Sequence, residues 1–104
     1  MNSIGLAMRL KPGCYNEYKR RHDNLWPDLE AAMRGRGISM VICRHEDRLF
    51  VYGTAPSEQA SDELGGDPVT PRWNTYMAEV LETDAQGNII FISLTQAFAF
   101  GELS

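Results

Sequence analysis

A phenol, an imidazole and an indole recur at four-residue intervals at Tyr18, His22 and Trp26. On a helix, that spacing stacks the three rings on one face. They belong to the stretch EYKRRHDNLWPDLEAAM, residues 17–33, which also carries paired charges and a proline. An imidazole titrates near pH ~6.5, so it can hold or release a proton at neutral pH. A proton-transfer group flanked by aromatic faces suits a small, partly apolar substrate such as a sugar. The same residues would also make a tightly packed helix with a satisfied core histidine.

The elements that must position this stretch follow from the apolar pattern. Ile4, Leu6, Met8 and Leu10 alternate with Gly5, Ala7, Arg9 and Lys11, the period of a strand. Pro12-Gly13 closes it with a turn. Tyr15, Tyr18, His22, Leu25 and Trp26 then form a helical stripe, with Glu17 and Arg21 as a favourable i,i+4 pair. Pro27 lacks an N–H and must end or kink that helix, yet it suits the first turn of a new one. Asp28 and Glu30 favour a helix start there, Leu29, Ala32 and Met33 face the core, and Gly35 or Gly37 caps the end.

Residues 38–43 read as a second strand, with Ile38, Met40 and Ile42 on one face. Residues 44–47 read as a polar hairpin loop that includes His45, and residues 48–54 as a third strand. The Ser-, Gly- and Pro-rich stretch 55–71 predicts a loop, with a short helix possible from Ser57 to Leu64. Asp67-Pro68 can start a helix, but Pro71 suggests that continuous helix begins closer to residue 71. Trp73, Tyr76, Met77 and Val80 then recur at helical spacing. After a turn at 84–88, residues 89–100 predict one long final strand, apolar on both sides at Ile89–Leu94. The order β-α-β-β-α-β is the ferredoxin-like α+β pattern, a four-stranded antiparallel sheet with helices on one face. Its other face needs cover, and a homodimer stacking two sheets would supply it.

The chain has 104 residues, 43% apolar and 23% charged, which predicts one globular domain over 1–104. A net charge of −4 leaves no basic surplus for neutralising phosphates, so no nucleic-acid partner is expected. Lys19-Arg20-Arg21 is flanked by acids and reads as a solvated helix face; Arg72 likewise reads as surface. Cys14 and Cys43 fit no metal-ligand spacing and are expected to be free thiols. The first ten residues lack the pattern of a signal peptide, and no apolar run approaches the ~20 residues that span a bilayer. A cytoplasmic protein without a membrane partner is expected.

The EYKRRHDNLWPDL segment resembles the corresponding helix of the L-rhamnose mutarotases, whose members carry an EYxxRHxxxWPxL core. Arg72-Trp73 followed by Tyr76-Met77 is similar to that family's RWWxxM segment, and the length and element order also look alike, so the resemblance covers nearly the whole chain. It implies a dimeric ferredoxin-like enzyme of dimeric α/β-barrel type that interconverts the α- and β-anomers of a 6-deoxy-hexose monosaccharide without a metal or organic cofactor. It implies His22 as the proton donor, with Tyr18 at the matching catalytic position and Trp73 matching the first of two paired tryptophans. Trp26 is a further candidate for the sugar's C–H face. Two positions depart from the family: Asn74 stands where the second tryptophan falls, and Val41 stands on or near a substrate-facing tyrosine. The loop 84–88 differs too. These departures bear on which sugar binds, L-rhamnose or L-fucose, more than on the chemistry.

Mutarotation needs a proton removed from the anomeric hydroxyl and one delivered to the ring oxygen, and no nucleophile. Positioned acid–base groups contribute about 10²–10⁴-fold. His22 suits this; a free phenol with pKa about 10 makes Tyr18 the poorer base. Two rivals share the element order: a cofactor-free monooxygenase or haem-binding α+β barrel, and a sensor that binds without catalysis.

Overall fold

The computed structural model describes residues 1–103. The elements are β1 (Asn2–Arg9), α1 (Tyr15–Asp23), α2 (Pro27–Arg34), β2 (Ser39–His45), β3 (Arg48–Ala55), α3 (Glu58–Gly66), α4 (Val69–Met77) and β4 (Ile92–Ser93), followed by a 3-10 turn at Gly101–Leu103. The sheet order is β2-β3-β1-β4 and every pairing is antiparallel, which is the expected ferredoxin-like α+β arrangement.

Proline and glycine set the helix boundaries. Pro27 occupies the first turn of α2, where its missing N–H has no intrahelical partner to lose. At the other end, Ile38 N–H donates to the Met33 carbonyl and Gly37 N–H to that of Arg34, the paired bonds of a Schellman cap. Gly37 has φ +68°, and a Cβ there would lie 2.8 Å from Pro56 Cγ, so both conformation and space demand glycine.

The stretch expected as mainly loop holds more helix than its composition suggests. Ser57 caps α3, its hydroxyl accepting from Ala60 N–H at 3.1 Å, and α3 runs to Gly66. Helix α4 starts at Val69, directly after Asp67-Pro68 and ahead of Pro71. Asp67 Oδ1 accepts from Val69 N–H at 3.0 Å, and Pro71 falls in the first turn, where an amide would have no helical carbonyl to reach. The β2–β3 hairpin is tighter than expected: His45 pairs with Arg48, leaving Glu46-Asp47 as the loop.

The long final strand is not formed. β4 pairs only Leu6 with Ser93 and Ala7 with Ile92, followed by one bond from Leu94 N–H to the Gly5 carbonyl. Extending that register sets Phe98 opposite Met1, so β1 has no residues left to pair with the end of the segment. Phe98 and Phe100 are 82% exposed.

Side-chain alternation divides the sheet into two faces. Leu6, Met8, Ile42, Leu49 and Val51 face the helices, and Met8, Leu49, Tyr18, Leu29, Trp73 and Met77 are among the core residues. On the opposite face, the registers align Cys43, Phe50, Ala7 and Ile92 in one row and Val41, Tyr52 and Gly5 in the next, with Leu94 closing over Gly5. This face is open and largely apolar.

Candidate active site

Helices α1 and α4 bring the chemistry-bearing residues together. Along α1, the four-residue spacing stacks Tyr18 on His22 with ring centroids 4.4 Å apart. From α4, Trp73 meets the imidazole edge-on at 5.4 Å. Trp73 is 8% exposed and is fixed from behind by Trp26, edge-to-face at 5.1 Å, which itself stacks on Tyr76 at 5.2 Å. Such ring pairs hold orientation as well as burying area.

Arg21 ties the two helices together. Its guanidinium donates to Glu17 at 2.7 Å on α1, and to the Tyr76 carbonyl at 2.6 Å and Glu79 at 2.8 Å at the end of α4. It also lies over the Tyr76 ring at 4.1 Å. The side chain is 12% exposed, so the expected surface arginine is a helix clamp. Arg20 does remain on the surface, pairing with Glu17. Arg20 first and Arg21 second hold the Glu17 carboxyl down to about 2.

Between these helices and the sheet lies a cavity of about 450 Å³. Tyr18, His22, Trp73 and Asn74 all line it, over a floor that includes Leu6, Met8, Ile42 and Val51. Thr70 is a polar lining residue the sequence pattern did not single out; it lies one turn before Asn74 on α4, a spacing that marks it in retrospect. The apolar walls Met33, Met77, Ile89 and Phe91 were legible only as core candidates. Two of the candidate residues stand apart. Trp26 is behind Trp73 and not on the cavity wall. Val41 is on the open sheet face, 53% exposed, because adjacent strand residues point to opposite sides and Ile42 takes the cavity side.

The Tyr18 hydroxyl and His22 Nδ1 are buried without a hydrogen-bond partner among the described residues. Such groups are costly to leave unpaired and mark a place where a ligand can supply the missing bonds. Burial holds the His22 imidazole below its ordinary pKa, with the Tyr18 main chain and Asp23 opposing, so it is neutral at pH 7. Burial raises the Tyr18 phenol well above its ordinary range, so it keeps its proton and has a hydrogen bond to give. Tyr18 and His22 also border a second depression, between α1 and the β2–β3 hairpin, beside Lys19, Asp23 and Arg44. No group of three or more His, Cys, Asp or Glu side chains is placed to hold a metal ion among the described residues.

In this ferredoxin-like α+β protein a neutral imidazole and a phenol line an apolar cavity, an arrangement chemically able to exchange a proton with a small molecule. The sequence profile of L-rhamnose mutarotases matches residues 3–99. An L-rhamnose mutarotase of Burkholderia orbicola is 36% identical over 101 residues, covering 94% of this chain and 97% of that one. The chain belongs to the L-rhamnose mutarotase family, whose members are sugar isomerases. The crystal structure of L-rhamnose mutarotase from Formosa agariphila has the same fold, with a TM-score of 0.81 at 24% identity, over 97% of this chain and all of that one. An uncharacterized NIPSNAP domain protein from Burkholderia xenovorans shares the fold with a TM-score of 0.62 at 11% identity, over 97% of this chain and 100% of that one.

Proposed function

We propose that this protein is a mutarotase that interconverts the α- and β-anomers of a 6-deoxy-hexose, L-rhamnose first among them, by general acid–base ring opening and closure. The observation that carries this reading is the pair of unpartnered polar groups, His22 Nδ1 and the Tyr18 hydroxyl, beside a cavity with an apolar floor. The neutral imidazole takes the proton of the anomeric hydroxyl as the bond between C1 and the ring oxygen breaks. The imidazolium returns that proton to the ring oxygen, leaving the open-chain aldehyde. Rotation about C1–C2 and the reverse transfers close the other anomer. Tyr18 keeps its proton and donates a hydrogen bond to a sugar oxygen. Trp73 and the apolar floor receive the C–H face and the C6 methyl, while Asn74 bonds a ring hydroxyl. The depression between α1 and the β2–β3 hairpin gives the imidazole a route for proton exchange with solvent.

The functional unit in this reading is a homodimer. Its support is the open sheet face, where Val41, Phe50, Tyr52, Ile92 and Leu94 leave an apolar surface that an isologous pairing would cover. The unpaired thiols of Cys14 and Cys43 suit a reducing compartment such as the cytoplasm.

Saturation-transfer NMR tests the activity. The wild type accelerates α/β exchange of L-rhamnose, and His22→Ala returns the rate to that of buffer while near-UV circular dichroism stays native. A wild type that leaves L-rhamnose and L-fucose both at their buffer rates sinks the reading.

A further inference from the structure

We infer that the ligand site continues from the His22 cavity into an adjoining polar groove, and that it takes a 6-deoxyhexose forming the reducing end of a larger glycoside. This rests on the mutarotase reading above. The groove, about 640 Å³, runs between the second half of α4 and the turn at 84–88. Asn74, Ile89 and Phe91 line both the groove and the cavity, so the two spaces meet at a rim whose polar member is Asn74.

The two spaces differ in chemistry. The cavity is walled by Met8, Met33, Met77 and Leu81, with few polar side chains to serve a hydroxyl-rich ligand. The groove carries Lys11, Asn74, Thr75, Glu79, Thr83 and Asn88. Lys11 Nζ donates to the Ala78 carbonyl at 3.1 Å and pairs with no carboxylate among the described residues, leaving donor capacity free. The Asn74 and Asn88 amides each offer two donors and an acceptor.

The groove's polar lining is mostly uncharged. Asn74, Thr75, Thr83 and Asn88 are neutral amides and hydroxyls, and the Glu79 carboxylate is already paired with Arg21. Neutral hydroxyls find mixed donors and acceptors there. The occupant is therefore a neutral glycosyl unit, attached through O2, O3 or O4 of the 6-deoxyhexose so that its anomeric hydroxyl stays free at His22. Ring opening and closure proceed unchanged on such a substrate.

The test compares α/β exchange of L-rhamnose with that of glucosyl-L-rhamnoses linked through O2, O3 or O4, each with L-rhamnose at the reducing end. A few added hydrogen bonds correspond to a preference on the order of tenfold in kcat/KM. The expected result is that preference for at least one disaccharide, with Lys11→Met and Asn88→Ala each moving the disaccharide-to-monosaccharide ratio toward one. If L-rhamnose is exchanged and every disaccharide is no faster, the groove assignment fails while the mutarotase reading stands. A preference that survives both substitutions also overturns it. Exchange of none of these sugars removes the mutarotase reading itself.

Discussion

The rings of Tyr18 and His22 lie 4.4 Å apart on successive turns of α1, both residues line the cavity with Trp73, and the Tyr18 hydroxyl and His22 Nδ1 are buried without a hydrogen-bond partner among the described residues. One helix thus presents an acceptor and a donor, with protonation states separated by the same cause, burial.

The pH dependence follows from the direction of the His22 shift. Its pKa in the folded chain is below the unfolded value of about 6.5, so between those values the unfolded chain binds more protons. Stability is therefore undiminished above pH ~6.5 and falls as pH drops through the folded pKa. Urea unfolding at pH 8 and pH 5 should show a loss in the wild type that is smaller in His22→Gln. The exchange rate follows the neutral imidazole and keeps its plateau below pH ~6.5. A rate that halves at or above pH 6.5 contradicts this assignment.

Tyr18→Phe separates packing from chemistry. The ring and its core contacts remain and an unsatisfied hydroxyl is removed, so stability should hold or rise by about 1 kcal/mol. Exchange should fall about tenfold or more through loss of the donor. Thermal melts and saturation transfer on the same samples read both effects. Unchanged exchange would leave the hydroxyl without a part in the reaction.

Arg21 and Arg20 share the Glu17 carboxylate but differ in reach. Arg21 also holds the Tyr76 carbonyl and Glu79 across to α4, whereas the Arg20–Glu17 pair stays on the surface of α1. Arg21→Ala should lower the melting temperature clearly more than Arg20→Ala, since exposed pairs contribute little. Arg21→Lys should fail to restore it, because an ammonium cannot reproduce the fork to three acceptors. Equal effects of the two alanine variants would count against the clamp.

The open face gives a prediction about assembly. Val41→Glu places a charge in the middle of the apolar rows without touching the cavity, since Val41 points away from it. Sedimentation equilibrium should find a dimer for the wild type and a monomer for Val41→Glu. A monomeric wild type would rule out the stacked-sheet arrangement.

Local rules made much of this chain legible in advance. Strand alternation in residues 4–10, the helix restart at Pro27 and the four-residue step from Tyr18 to His22 depend on steric and hydrogen-bond constraints that act within a few residues. Those constraints determined the ferredoxin-like order and placed a phenol and an imidazole on one helix face. The tertiary structure decided what those groups meet. Trp73 arrives from a helix some fifty residues on, Trp26 becomes its support, and Arg21 becomes a clamp between helices. Strand parity, fixed once β2 pairs with β3, sends Ile42 to the cavity and Val41 to the far face. The end of the chain is likewise a pairing outcome, since in the register of β4 Phe98 already falls opposite Met1 and the residues beyond it have no β1 partner. Burial is a property of the assembled layers, and burial is what sets the charge states of Tyr18 and His22.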